Sequence, residues 1–208
     1  MEELKELGAV PVDISVLRSL FSSYNYPNDK IQALEDDGKL IRLKKGQYVV
    51  SPEVSGELLS VELIANHLYG PSYVSMESAL RYYGLIPEKV VAVRSATTNR
   101  SKKFENGIGL FQYVSVNEDY YSVGISQKTV NDRYTFLIAS PEKALCDTIV
   151  STPHLYFQSG KSVMTYLEDD LRFDMSALKN FDTAIVEQCA ATGKKKKSLE
   201  SLLKLLTR

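Results

Sequence analysis

The sequence predicts an α+β protein, and three observations predict it. Short amphipathic helices followed by a β-hairpin occupy residues 1–50. β-Branched and aromatic runs divided by Asn, Gly, Asp and Lys follow between residues 90 and 139, which is typical of a mainly antiparallel sheet. Helical patterns dominate from Ser140 to the C-terminus. The composition shift at residues 51–56 predicts a linker, so we expect domains at 1–50 and 57–208.

The first fifty residues have the element order of a winged helix-turn-helix. Leu4 and Leu7 indicate a short first helix, and Asp13 can cap a second helix. A third helix is expected to open at Pro27 or Asn28 and to end at Gly38, where glycine suits a left-handed cap. The apolar positions of these helices fall at helical spacing: Ile14, Leu17, Leu20, Phe21, Ile31 and Leu34. Two β-prone runs around Lys44-Lys45-Gly46 then predict a hairpin, which would be the wing.

The larger domain opens with two strongly patterned helices. Ser60 and Ser75 are candidate N-caps of these helices, and Gly84 ends the second. The four β-prone runs that follow are VVAVRSAT, GLFQYVSV, YYSVGIS and YTFLIA. Ser140-Pro141-Glu142 combines a cap, a first-turn proline and an acidic residue, which predicts a helix start. The last helix carries a leucine stripe from Leu199 to Leu206 that either packs in the core or docks a second chain.

Composition excludes several classes of protein. The 208 residues are 44% hydrophobic and 25% charged, as in an ordinary globular chain. No apolar run is long enough to cross a membrane, and the acidic N-terminal segment does not resemble a signal peptide, so we expect a cytoplasmic protein that binds no membrane. Cys146 and Cys189 are expected to be buried thiols, and His67 and His154 show no metal-ligand spacing. Because no nucleotide-binding or nucleophile motif occurs, we expect neither catalytic residues nor a metal or cofactor.

The formal net charge of −1 conceals three cationic clusters. The first cluster coincides with the predicted hairpin, where a wing would contact DNA phosphates. Polar residues early in the third helix would read bases, whereas the acids Glu35–Asp37 must point away from the duplex. The candidate DNA-binding residues are Asn28, Lys30, Gln32, Lys39, Arg42, Lys44 and Lys45. A solvated hairpin tip is the alternative explanation of this cluster.

The other two cationic clusters can also be explained without a binding function. Arg94, Arg100, Lys102 and Lys103 are expected in a loop between strands, which would bind a phosphate or an acidic partner, or would simply be solvated. Lys194 to Arg208 holds six cations and one acid, and either links into the last helix or binds nucleic acid, a membrane surface or a partner.

Four segments, in order, resemble the AbiEi family of bacterial antitoxins. YGPSYVSMESALRYYGLIPE (Tyr69 to Glu88) is similar to the family signature, and GKLIRLKKGQY (Gly38 to Tyr48) is similar to its wing. Thr97 to Phe104 resembles its "T-x-x-R-x-x-x-F" segment, and Ala139 to Asp147 its "A-x-P-E-K-A-L-x-D" helix start. The motif residues singled out on this basis are Tyr69, Gly70, Pro71, Ser72, Tyr73, Ser75, Glu77, Ser78, Ala79, Leu80, Pro141, Glu142 and Lys143. They serve either as fold determinants or as functional residues.

The resemblance implies the antitoxin of a type IV toxin–antitoxin system. Its N-terminal winged helix would bind the promoter of its own operon and repress it, and its C-terminal domain would counter a nucleotidyltransferase-like toxin without requiring a stable complex. Arg94, Arg100, Lys102 and Lys103 become candidates for antitoxicity on this basis. The wing departs from the family in carrying Lys44-Lys45 where arginine is common, and lysine lacks the bidentate fork that reads guanine. A stand-alone regulator, or a module that docks an acidic partner through its basic C-terminal region, is the alternative; no segment indicates the oligomeric state.

Overall fold

A computed structural model describes residues 2–88 and 91–207 as an α+β protein. The N-terminal part contains α1 (Glu2–Glu6), β1 (Val12–Asp13), α2 (Ile14–Leu20), α3 (Pro27–Asp36), β2 (Leu40–Lys44) and β3 (Gln47–Val50). The middle contains α4 (Pro52–Ser55), α5 (Val61–Leu68), β4 (Ser72–Val74), α6 (Met76–Tyr82), β5 (Ala92–Thr97), β6 (Lys102–Asn106), β7 (Gly109–Ser115), α7 (Glu118–Tyr121), β8 (Ile125–Val130) and β9 (Tyr134–Ala139). The C-terminal part contains α8 (Pro141–Ser151), α9 (Gly160–Thr165), a π-helical turn (Tyr166–Asp170), a 3-10 helix (Met175–Asn180), α10 (Thr183–Thr192) and α11 (Lys196–Leu206).

Three of the predicted helix starts are confirmed at the level of their hydrogen bonds. The side chain of Asp13 accepts from the amide of Ser15 at 2.8 Å. Ser60 accepts from the Leu63 amide at 3.1 Å, and Ser140 from the Lys143 amide at 3.3 Å. Each bond satisfies an amide that the first turn of a helix leaves without a backbone partner. Gly38 and Gly84 end α3 and α6 with positive φ, as their positions predict.

The first sheet has the order β1-β3-β2, and its β2–β3 hairpin contributes to two hydrophobic cores. Leu40 and Tyr48 pack with Leu17, Ile31 and the other apolar residues of α1 to α3. The register shifts between Arg42 and Lys44, and the buried Leu43 at this bulge packs, with Val49, in the core of the larger part. The hairpin is therefore covered on both faces.

The second sheet is mixed, with six strands in the order β6-β7-β5-β4-β9-β8. The pairs β6–β7, β5–β4 and β9–β8 are antiparallel, whereas β7–β5 and β4–β9 are parallel. α5, α6, α8 and the C-terminal helices complete the core around it. Antiparallel pairs thus outnumber parallel pairs only three to two, because the steps from β5 to β6 and from β7 to β8 join strands that are not neighbours in the sheet.

Three local predictions are wrong. Tyr120 and Tyr121, the first two residues of the run predicted as the strand YYSVGIS, belong to α7, and β8 begins only at Ile125. Val54 is buried in the predicted linker, whose residues Pro52–Ser55 form a helical turn with Pro52 in its first turn. Arg94 to Phe104 is not a loop, because its ends belong to β5 and β6. Val90, where the first β-prone run was predicted to begin, lies outside the described residues.

Candidate functional site

Asp147 is the centre of a fully buried polar network. Its Oδ2 accepts hydrogen bonds from the Tyr73 hydroxyl at 3.0 Å and from the Ser75 hydroxyl at 2.6 Å. Tyr73 lies in the middle of β4, and Ser75 precedes α6, yet both bond to a carboxylate on α8 more than seventy residues away. Ser75 thus occupies the predicted N-cap position, but its side chain bonds to Asp147 and not to its own helix. Burial and the Asp147 charge raise the pKa of Tyr73 well above its ordinary value.

Lys143 completes this network as a buried cation. Its Nζ lies 3.3 Å from Asp147 Oδ1, one helical turn along α8, and both side chains are fully buried. The ammonium also donates to the Tyr120 carbonyl at 2.8 Å and lies 3.1 Å from the centroid of the Tyr120 ring. A buried charge of this kind persists only when it is paired and hydrogen-bonded. The geometry gives Lys143 a structural role and leaves it no route to solvent.

The turn that carries Gly70 and Pro71 is held by the end of β5. The Thr97 hydroxyl donates to the Pro71 carbonyl at 2.7 Å, and the side-chain Nδ2 of Asn99 donates to the Gly70 carbonyl at 3.1 Å. The Tyr69 hydroxyl donates to the Arg100 carbonyl at 3.2 Å. The segment that begins at Thr97 is therefore bonded directly to the segment that begins at Tyr69.

The remaining motif residues lie in the same region and are largely buried. Ser72, Ala79 and Leu80 are buried, and Ser78 donates to the Ala92 carbonyl while accepting from the Arg94 amide. Pro141 begins α8, and the buried Glu142 accepts from the Asp182 amide at 3.1 Å. Contacts of this kind support the fold-determinant interpretation of the motif more directly than a functional one.

An exposed basic edge runs along β6 towards the hairpin. The ammonium of Lys102 lies 4.8 Å from the Phe104 ring centroid and 5.4 Å from that of Tyr69. The Lys44 ammonium lies 6.0 Å from the same Phe104 ring and donates to the Leu68 carbonyl at 2.6 Å. Burial and then the charge of Lys102 lower the pKa of Lys44. Two cations held this close favour an anion beside them.

The four antitoxicity candidates are not one cluster. Lys102 lies on the face of the sheet that carries Tyr69, whereas Lys103 is paired with Gln112 on the opposite face. Arg100 is exposed between β5 and β6. Arg94 bonds Glu77 at 2.5 Å and Ser151 at 3.2 Å, inside a cleft of about 350 Å³ that also exposes Asp170. Only Arg100, Lys102 and Lys103 present their charge freely.

The DNA-binding candidates also divide into engaged and free groups. Arg42 is bound by Glu35 through Nε at 3.1 Å and Nη2 at 2.7 Å, and Lys39 pairs with Asp37 at 2.9 Å. The acids at the end of α3 thus neutralise two of the predicted wing cations. Asn28 accepts from Arg18 Nε at 2.9 Å, and Gln32 donates to Asp36 at 2.9 Å. Among the described residues, no acidic side chain pairs with Lys30, Lys44 or Lys45, and of these three Lys44 donates to the Leu68 carbonyl instead.

The third cationic cluster is partly used in packing. Lys195 donates to the carbonyls of Ile149 and Thr152, and Lys196 lies 4.0 Å from Glu200. Leu199 and Leu202 are buried, so this part of the leucine stripe belongs to the core. Arg208 lies outside the described residues.

Other chemistry is limited in the part of the chain that the structure describes. No group of three His, Cys, Asp or Glu side chains there is arranged to hold a metal ion, and no described helix is long and apolar enough to cross a membrane. Cys146 and Cys189 are buried, free thiols. The hydrogen bond to Cys189, together with burial, raises the pKa of Cys146, which makes its thiol a poor nucleophile.

Comparison of the sequence with protein-family models and with curated proteins finds no match to this chain.

Proposed function

We propose that this chain is the antitoxin of a type IV toxin–antitoxin system of the AbiEi kind, and that it represses its own operon. The observation that carries the proposal is the contact between the four segments that resemble the family. Lys44 approaches Phe104, Tyr69 bonds Arg100, Thr97 bonds Pro71, and Tyr73 bonds Asp147. In the sequence, these four segments share only the order in which they occur. In the structure, they contact one another directly.

The DNA-binding half of the proposal rests on the arrangement of residues 12–50. α2 and α3 would be the helix-turn-helix, and the β2–β3 hairpin, with Lys45 exposed at its tip, would be the wing. Lys45 would contact phosphate, and Lys30 would lie beside the groove that α3 enters. Since Arg42, Lys39 and Lys44 are occupied within the protein, we expect modest, salt-sensitive binding.

The antitoxin half rests on the exposed basic edge formed by Arg100, Lys102 and Lys103. The ammonium of Lys102 lies beside the rings of Tyr69 and Phe104, and this arrangement suits recognition of an anionic surface. Arg94 and the buried motif residues would support this edge from within.

A growth assay tests the proposal. The neighbouring reading frame is induced in a host that carries this chain on a second plasmid. Rescue by the wild-type chain and loss of rescue by Lys102→Ala/Lys103→Ala support the proposal. Lys179→Ala/Lys204→Ala, which removes two other cations, is the matched control and should rescue fully. A neighbour that is not toxic, or rescue that no substitution on the basic edge affects, contradicts the antitoxin role.

One observation favours the second candidate, a module that docks an acidic partner. Three of the wing cations are already bonded within the protein, whereas the β6 edge stays free. Stable co-purification of an acidic protein, abolished by Lys102→Ala/Lys103→Ala, would favour this candidate over a regulator.

A further inference from the structure

Two exposed tyrosines, neither of which the sequence singled out, form an aromatic patch beside the first turn of α3. The side chain of Tyr26 is 73% exposed and that of Tyr24 is 49% exposed. Tyr24 stands edge-on to the buried Phe21, with ring centroids 5.8 Å apart, so its ring is anchored from the core below. A solvated turn rarely presents two large rings so fully.

The patch is concave and carries a cation. Tyr24, Tyr26 and Lys30 are among the residues that line a depression of about 380 Å³. The Lys30 ammonium lies 5.4 Å from the Tyr24 ring centroid, which holds the charge against the aromatic surface. Asp29 shares the depression, and the exposed Arg18 donates to Asn28 in the same turn of α3. The local balance is therefore two cations against one acid.

The opposite end of α3 has the reverse charge. Glu35, Asp36 and Asp37 lie there, and the cations that reach them, Arg42 and Lys39, are consumed in ion pairs. A phosphate backbone is repelled by that end and attracted by the end that carries Lys30 and Arg18. The charge distribution along α3 therefore favours the approach of DNA to the N-terminal end of the helix.

We propose that Tyr24 and Tyr26 are part of the DNA interface, and that α3 meets the duplex through the end that they occupy. Their phenolic hydroxyls would donate to phosphate oxygens, and their ring faces would pack against deoxyribose. This inference rests on the proposed promoter binding and adds to it two neutral contact residues and an orientation for α3. The occupant is double-stranded DNA, because the patch combines phenolic hydroxyl donors with the ammonium of Lys30.

Fluorescence anisotropy on overlapping labelled duplexes from the region upstream of the coding sequence tests the inference. Tyr24→Ala/Tyr26→Ala should weaken binding about tenfold, and Tyr26→Phe about threefold, because the hydroxyl alone is lost. Tyr156→Ala is the matched control, since Tyr156 is 68% exposed but lies on the larger part of the protein. Its affinity should equal that of the wild type.

The salt dependence separates this role from that of the lysines. Tyrosine is neutral, so the double tyrosine variant should keep the wild-type slope of log K against log salt, whereas Lys45→Ala should reduce it by about 1. If the wild-type chain binds and the double tyrosine variant binds with the same affinity, this inference is overturned, whereas the promoter-binding proposal is not. No binding by the wild-type chain to any upstream duplex overturns the promoter-binding proposal and this inference together. Tyr24→Phe/Tyr26→Phe keeps the packing of both rings, so weaker binding by that variant cannot be attributed to misfolding.

Discussion

The hydroxyl of Tyr73 donates a 3.0 Å hydrogen bond to Asp147, which joins a strand in the middle of the mixed sheet to the largely buried helix α8. The same carboxylate is the ionic partner of Lys143. Tyr73 and Lys143 therefore depend on one buried group, and the stability of the larger part of the protein depends on its charge.

Asp147→Asn should lower the free energy of unfolding by about 3 kcal/mol, because it leaves Lys143 buried without its counter-charge. Urea unfolding followed by circular dichroism measures the change. The exposed carboxylate of Asp169 provides the control, and Asp169→Asn should change stability by less than about 0.5 kcal/mol. The double variant Lys143→Met/Asp147→Leu should be more stable than Asp147→Asn. A double variant less stable than Asp147→Asn would mean that packing, and not charge, dominates here.

Stability should fall at alkaline pH as buried tyrosines titrate. Burial, followed by the neighbouring Tyr82, raises the pKa of Tyr83 to about 12, whereas an unfolded tyrosine loses its proton near pH 10. Between these values the folded state holds a proton that the unfolded state has released, so the free energy of unfolding decreases as pH rises through this window. Below about pH 10 the group contributes no pH dependence. Tyr83→Phe should show a shallower decline in urea unfolding between about pH 10 and 11.5; an identical decline would contradict the assignment.

Lys44 and Lys45 should behave differently although they are adjacent in the hairpin. Lys44→Met removes the bond to the Leu68 carbonyl and should cost about 1–2 kcal/mol of stability. Lys45→Ala should leave the thermal midpoint unchanged and weaken DNA binding, because the side chain is exposed. Thermal denaturation and anisotropy on the same preparations measure both effects. Equal loss of stability in the two variants would contradict the assignment of a structural role to Lys44 and of a DNA-contact role to Lys45.

Gly124→Ala should destabilise the protein by about 3 kcal/mol, since the residue has φ of +62° and a Cβ there would lie 2.9 Å from Lys143 Cβ and Ile185 Cγ2. Gly38→Ala is the control because Gly38 has a similar φ of +69° and no atom within 4 Å of the added carbon. The control should cost about 1 kcal/mol, from backbone strain alone. Denaturant midpoints of the two variants give the comparison, and similar midpoints would exclude the steric contribution at Gly124.

Local signals predicted much of the fold. The caps at Asp13, Ser60 and Ser140 are confirmed because a cap involves residues two or three positions apart. The run YYSVGIS failed, because β-propensity reflects packing on a sheet, and Asn117 instead begins a helical turn that buries Tyr120.

The candidate sites were harder to predict because long-range partners decide them. Lys143 and Asp147 are one helical turn apart, but their local sequence does not indicate that the pair is buried or that Tyr73 and Tyr120 bond to it. Arg42 and Lys39 were expected to be free cations, and only folding brings Glu35 and Asp37 to them. Glu35 and Asp37 therefore neutralise two cations that the sequence offered for DNA binding.

The hairpin that lies between the two hydrophobic cores also bears on how the protein can be divided. A cut between Val50 and Leu58 would take Leu43 and Val49 away from the larger core and leave both exposed on the smaller fragment. Neither fragment would then keep its full apolar interior, so the intact chain should unfold in a single cooperative transition. A substitution that destabilises α3 and one that destabilises the basic edge should therefore both shift the same unfolding transition.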